Sequence, residues 1–263
     1  MIKNVEGLLE KVTANIREQM DVAVIGLSGG ADSTLVAILC KQALGGENVY
    51  GIHLPYGEID DTNFNVKSVA VAHKLGIWDR TLRINQAVDA LTDQFEPLSE
   101  LNQGNMRSRM RMVALYTICC ALSENLSGQR VRVLGTGNLS EDFIGYDTKG
   151  GDALADYFPI GELVKSEVYQ LLEYFRDQGV ISEEMINRTP SAGLWDGQTD
   201  EDELGFTYNS MEQYVLFGFK WGVENFFGFE DPVATFVGDR HKTNKHKHEA
   251  PPVASLREFC EDE

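Results

Sequence analysis

The chain has 263 residues, 43% of them hydrophobic, enough for one sizeable α/β core, read as a single domain over residues 1–263. Its formal charge of −18 argues against electrostatic capture of nucleic acid, which needs neutralised phosphates. Its apolar stretches fall well short of the roughly 20 residues that span a bilayer, and Met1 to Glu6 does not read as a secretory leader, so a cytoplasmic protein with no membrane partner is expected.

Val5, Leu8, Leu9, Val12 and Ile16 follow a 3.6-residue period and predict a helix over about 4–19. Val22 to Leu27 is a continuous apolar run ending at Ser28-Gly29-Gly30, the pattern of a parallel strand buried on both faces. Helical periodicity resumes near Asp32. The plan repeats with a strand near 49–54 and a helix near 62–75, then a strand near 80–84 and a helix carrying Val88, Leu91 and Phe95. A long helix over about 105–124 precedes the strand 131–134, and 135–155 reads as a functional loop, too long for a plain connector. Helices are expected at 162–178, 209–220 and 232–239. This alternation predicts an open parallel sheet with helices on both faces, with ligands beyond the carboxyl ends of the strands. Cys40, Cys119, Cys120 and Cys260 lack metal or redox spacing and read as reduced thiols.

The segment Gly26-Leu27-Ser28-Gly29-Gly30-Ala31-Asp32-Ser33 joins a predicted strand to a predicted helix, where backbone amides can cradle phosphate oxygens. It is neither a Walker loop, having no G-K-[ST], nor a G-x-G-x-x-G fingerprint. A plain turn capped by Ser28 or Asp32 is the simpler reading. The segment resembles the S-G-G-x-D-S loop of the N-type ATP pyrophosphatases, which have the adenine nucleotide alpha hydrolase-like fold and cleave ATP to AMP and pyrophosphate. That resemblance implies ATP contacts along Gly26 to Ser33, with Ser28, Gly30 and Ser33 on the β and γ phosphates and Asp32 at Mg²⁺.

Further segments are similar, in order, to the NAD synthetase pattern: Leu54-Pro55-Tyr56-Gly57, Gly104-Asn105-Met106-Arg107-Ser108-Arg109-Met110-Arg111-Met112, Gly135-Thr136-Gly137-Asn138-Leu139-Ser140-Glu141, Gly145 to Asp152, Pro159 to Val168, Pro190 to Glu201 and His246 to Pro252. Arg109 and Arg111 lie about 200° apart on a helix and cannot share one pocket. Lys165 lies off the stripe Val164, Val168, Leu171, Leu172 and Phe175 that its helix should bury. The resemblance implies ATP contacts at Thr136, Lys165 and Ser191, a second Mg²⁺ carboxylate at Glu141, and contacts to deamido-NAD⁺ at Arg109, Lys149, Asp156, His246 and Lys247. Asp32 and Lys165 are the implied catalytic groups. It further implies a homodimer with a five-stranded or similar sheet, and amidation of deamido-NAD⁺ with ATP, Mg²⁺ and ammonia, since a glutaminase domain would need a longer chain.

Five residues depart from the pattern: Asp147 and Gly150, where aromatics are common, Ala153 and Leu154, where glycines are common, and His248, where arginine is usual. They leave a nucleotide-binding regulator without catalysis as one rival reading. A tRNA-modifying pyrophosphatase is another, although neither a basic surface nor catalytic cysteines are present. The C-terminal histidines could suggest a metal site, but the sequence supplies neither a cysteine nor a third spaced ligand beside them.

Overall fold

The computed structural model describes residues 1–57, 64–186, 200–226 and 230–256. Its elements in chain order begin α1 (Val5–Gln19), β1 (Val22–Gly26), α2 (Ala31–Leu44), β2 (Val49–His53), α3 (Phe64–Leu75), β3 (Trp78–Thr81) and α4 (Asn85–Thr92). They continue with α5 (Glu100–Asn125), β4 (Val131–Leu134), α6 (Leu139–Ile144) and α7 (Lys165–Asp177). The last are α8 (Glu183–Ile186), α9 (Asp200–Leu204), α10 (Tyr208–Trp221) and α11 (Pro232–Asn244).

Successive residues of a strand face opposite sides of the sheet, and in β1 both sides are buried. Ala23 and Ile25 pack with α1, α2, α3 and α7, whereas Val22 and Val24 pack with α4 and α5. The sheet is therefore covered on both faces, as the unbroken apolar run predicts. All pairings are parallel, in the order β3-β2-β1-β4. A third cluster joins α6 to α10 and α11 through Phe143, Ile144, Met211, Val215 and Val237. Helix α7 buries the stripe expected of it, and full burial of each such side chain contributes about 1.5–3 kcal/mol.

Four details differ from expectation. The sheet has four strands among the described residues; the chain after the loop meets β4 only at the single bridge Leu134–Tyr157, and Pro159, lacking an amide donor, follows two residues later. Strand β3 runs over Trp78–Thr81 and is exposed throughout, as an edge strand; the apolar pair that suggested 80–84 lies where the chain turns inward, with Ile84 buried beside Val88. The stretch 135–155 is not loop throughout, because α6 forms inside it, capped by Asn138, whose side chain accepts from the Glu141 amide. The long helix starts earlier than expected, at Glu100, with Ser99 as its cap.

Cys40 and Cys119 are buried free thiols, and burial pushes both above the ordinary thiol range, which makes them poor nucleophiles. Gly51 in β2 faces Leu27, and a Cβ there would come within 2.3 Å of the Leu27 Cδ1. Gly51→Ala is expected to destabilise the fold by about 1–3 kcal/mol through overpacking. Urea denaturation checks this as a lowered midpoint at unchanged slope; an unchanged midpoint would mean that Leu27 can turn aside freely.

Candidate active site

From β1 the chain moves outward to β2 and β3, then returns to place β4 on the other side of β1. The crevice between the carboxyl ends of β1 and β4 is thus the switch point of the sheet, where parallel α/β folds bind ligands. After β1 the chain turns through Gly29, at φ +73°, into the N-terminus of α2. A positive φ there favours glycine. The turn is held by its own side chains: the Gly30 amide donates to Ser28 Oγ at 3.2 Å, Ser33 Oγ donates to the Gly30 carbonyl at 3.2 Å, and the two serine hydroxyls lie 3.1 Å apart. Ser33 is buried and Ser28 exposed, so the loop presents its outer rim to solvent.

After β4, Gly135 lies against the Phe158 ring, where a Cβ would come within 2.2 Å, and Thr136 follows at the rim of the crevice. Buried Asn138 ties the two sides together, because its Nδ2 donates to Asp32 Oδ1 at 2.9 Å while its Oδ1 caps α6. Asp32 lies in the first turn of α2, as the resumed periodicity predicts, and Glu141 in that of α6 rather than in a loop, so both acids stand at helix N-termini. Helix N-termini favour negative charge. Lys165, first residue of α7, reaches both: its Nζ donates to Asp32 Oδ2 at 2.7 Å and to Glu141 Oε1 at 2.8 Å. Although off the apolar stripe, Lys165 is only 5% exposed.

Neighbours absent from the sequence reading hold this cluster. Glu212 of α10, itself buried, accepts from the Ser166 amide at 2.8 Å, from Ser166 Oγ at 2.5 Å and from Ser140 Oγ at 3.3 Å. Ser140 Oγ in turn accepts from the Lys165 amide at 2.9 Å. The Glu212 carboxylate thus satisfies the Ser166 amide directly and the Lys165 amide through Ser140, and fixes the start of the helix that carries Lys165. On the far side, Tyr208 Oη bonds Asp200 at 2.9 Å and Glu141 at 3.2 Å. No sequence motif pointed to Glu212 or Tyr208, whose signal is only spatial; Asp200 lies in the Pro190 to Glu201 segment but carried no assigned role there.

The charges do not balance. Burial alone would lower the Lys165 ammonium, but the Asp32 and Glu141 carboxylates outweigh it and hold its pKa above the ordinary value. Burial pushes the Glu141 carboxyl up to about 7, Lys165 opposing and Asp32 and Asp200 adding to the rise. Among the described residues, two half-buried carboxylates, Asp32 and Glu141, thus meet one buried ammonium. Two acids that converge on one cation, in a cluster with surplus negative charge, are the donor set that suits Mg²⁺, which takes carboxylate oxygens and bridges phosphates.

Of the other residues singled out in the sequence, Arg109, Lys149 and His246 meet on a second, more exposed patch. Arg109 is exposed on α5 and its Nε donates to the Lys149 carbonyl at 3.2 Å; Arg111 points the other way and donates to the Leu54 carbonyl, in keeping with their angular separation. Lys149 is exposed, and its Nζ donates to the His246 carbonyl at 2.7 Å. His246 is exposed too, with its ring against the Thr243 carbonyl. Lys247 donates to the carbonyls of Gly145 and Asp147 at 2.7 and 2.8 Å. Asp156 accepts from the Val133 amide at 2.8 Å and from Tyr116 Oη at 3.2 Å, so it also fastens the loop to β4. Ser191 and most of the 190–201 segment lie outside the described residues. Asp147 and His248, both departures from the pattern, are in contact with each other.

A parallel α/β sheet with this loop and cation cluster at its switch point defines a nucleotide-binding enzyme. Residues 2–251 match the family model for NAD synthase, and the chain belongs to that family. It is 37% identical to an NH(3)-dependent NAD(+) synthetase of Pyrococcus horikoshii over 98% of both chains. It is 38% identical to one of Methanosarcina acetivorans over 90% of this chain and 91% of the other. Among solved structures, an NMN synthetase from Francisella tularensis superposes with a TM-score of 0.77 at 27% identity, covering 96% of this chain and 99% of its own. An NH3-dependent NAD synthetase from Campylobacter jejuni, in complex with nitrate, gives 0.74 at 28% identity, covering 96% and 100%.

Proposed function

We propose that this chain is an ammonia-dependent NAD⁺ synthetase that converts deamido-NAD⁺, ATP and ammonia to NAD⁺, AMP and pyrophosphate. The observation that carries the reading is the meeting of Asp32, Glu141 and Lys165 at the switch point, beside the Gly26–Ser33 loop. The nicotinate carboxylate attacks the α-phosphorus of ATP and expels pyrophosphate, giving a mixed anhydride; ammonia then adds to its carbonyl carbon, AMP leaves, and the nitrogen loses a proton to solvent.

The loop amides and the Ser28 and Ser33 hydroxyls hold the leaving phosphates, with Thr136 and Ser191 contributing further contacts to ATP. Asp32 and Glu141 would hold Mg²⁺, which when bound neutralises pyrophosphate as it departs. Lys165, fixed by Glu212 beneath its helix, adds a compact positive charge where negative charge grows. Arg109, Lys149, Asp156, His246 and Lys247 line the patch for the dinucleotide, so positioning and electrostatics supply most of the acceleration.

The reading includes a homodimer. In support, α5 exposes Val113 and Cys120 next to the exposed Leu154, around an open pocket of about 650 Å³. No helix among the described residues is long and apolar enough to cross a membrane, and an ATP-consuming synthetase fits a cytoplasmic location. Ammonia is supported as nitrogen donor by near full-length relatives of that description.

The test supplies the purified protein with ATP, Mg²⁺ and either deamido-NAD⁺ or its mononucleotide counterpart, the latter because one structural neighbour is an NMN synthetase. With ammonium, NAD⁺ and AMP are expected in equal amounts; glutamine supplied to this chain alone is expected to give neither. Turnover confined to the mononucleotide would reassign the substrate, and AMP-free turnover would sink the reading.

A further inference from the structure

We propose that Asp142, Asp147 and His248 form a second divalent-cation site, separate from the Asp32–Glu141 cluster and selective for Zn²⁺ over Mg²⁺, that fastens the C-terminal segment to the loop carrying Lys149. One ligand atom from each of the three lies within 4.8 Å of the others. Around a tetrahedral zinc with bonds of about 2.0–2.2 Å, ligand atoms lie roughly 3.3–3.6 Å apart, so the three side chains would close in by about 1 Å to coordinate an ion.

Asp147 is the second observation. Its side chain is 5% exposed, yet neither carboxylate oxygen has a hydrogen-bond partner. Its charge contacts are Lys247 Nζ at 3.5 Å from Oδ1 and His248 Nε2 against Oδ2. Lys247 compensates it as a charge rather than through a hydrogen bond, because its ammonium donates to the Gly145 and Asp147 carbonyls. A buried carboxylate held by these two charge contacts alone is only partly compensated, and an ion bonded to it would complete that compensation.

The nature of the two departures from the family pattern also favours a metal over a plain ion pair. Asp147 and His248 stand where the resembled pattern commonly has an aromatic and an arginine, and the structure brings the two into contact. For pairing with a carboxylate, arginine is the better partner, since its fork donates two parallel hydrogen bonds. Arginine has no lone pair to give a metal, whereas neutral imidazole does. One imidazole and two carboxylates, with water completing the shell, suit Zn²⁺ or a neighbouring transition ion; Mg²⁺ prefers oxygen alone.

The test uses full-length protein without a histidine tag, stripped with chelator and titrated calorimetrically with ZnCl₂ in excess MgCl₂, followed by Co²⁺ as a spectroscopic probe. One ion per chain is expected, with visible Co²⁺ absorption. His248→Arg and Asp147→Phe restore the residue types common in the pattern, and each is expected to weaken Zn²⁺ binding by about 100-fold or more, beyond the loss known for outer-shell changes. Glu141→Gln should bind as before. Circular dichroism establishes that the variants are folded, and Asp142→Asn replaces Asp147→Phe if that variant is not. Absence of Zn²⁺ binding in excess Mg²⁺, undiminished binding in His248→Arg, or loss in Glu141→Gln would each overturn the site.

Discussion

Asp32→Ala and Glu141→Ala are each expected to reduce AMP and pyrophosphate formation by about 10²–10³-fold or more, the scale for losing one preorganised electrostatic contact to developing charge. The fold should survive. Asp32 and Glu141 share the single Lys165 ammonium, so deleting one acid removes repulsion along with an ion-pair contact. Asp32 is one of the groups that raises the Glu141 carboxyl, and in Asp32→Ala that carboxyl should fall from about 7 toward its ordinary value. Single-turnover release of pyrophosphate, measured beside thermal melts, separates the two effects. Near-normal release by either folded variant would mean that the acid pair does not serve the transferred phosphates.

How much of this site could be read from the sequence depended on chain proximity. The loop Gly26–Ser33 was legible because strand, turn and helix are consecutive, and the buried stripe of α7 was legible because its period is local. Lys165 was different: its offset from the stripe suggested a polar task, but only the third dimension brings it to two acids 133 and 24 residues away. Glu212 was invisible for a related reason. It lies on α10 and accepts from the Ser166 amide in the first turn of α7, and a lone buried acid on an amphipathic helix carries no sequence mark. The loop from Gly135 to Ala155 was misread as wholly irregular because α6, at 6 residues, is too short to show a period. Its cap, Asn138, was in plain view within the motif, yet its second bond to Asp32 was not. The histidine near the C-terminus lacked further ligands in the sequence, and the fold supplies two, from the chain just after Glu141.

Lys165→Met and Lys149→Met are expected to fail in different ways, because one ammonium is buried among acids and the other is exposed. Lys165→Met leaves Asp32 and Glu141 without their shared cation, and breaking a buried pair from one side costs about 3–5 kcal/mol. The Glu141 carboxyl, at about 7 with the lysine in place, should rise further. A carboxyl whose pKa is raised on folding stabilises the protonated fold and loses that contribution as pH climbs through the raised value. The variant should therefore be more stable near about pH 6 than near about pH 8, and Mg²⁺ should restore part of the loss by replacing the missing charge. Its kcat should fall by about 10²–10³-fold, since the removed charge acts where negative charge grows. Lys149→Met gives up only a bond to the His246 carbonyl, so its stability should change little. Its effect should be a KM for deamido-NAD⁺ raised by about 10- to 100-fold, matching the roughly 1.5–3 kcal/mol of a hydrogen bond to a charged group, with the KM for ATP nearly unchanged. Steady-state kinetics with each substrate varied in turn, and melts with and without Mg²⁺, read all of these quantities. Equal small effects of Lys149→Met on both substrates would reduce it to a fastener of the C-terminal segment, and a Lys165→Met protein of normal turnover would remove Lys165 from the chemistry altogether.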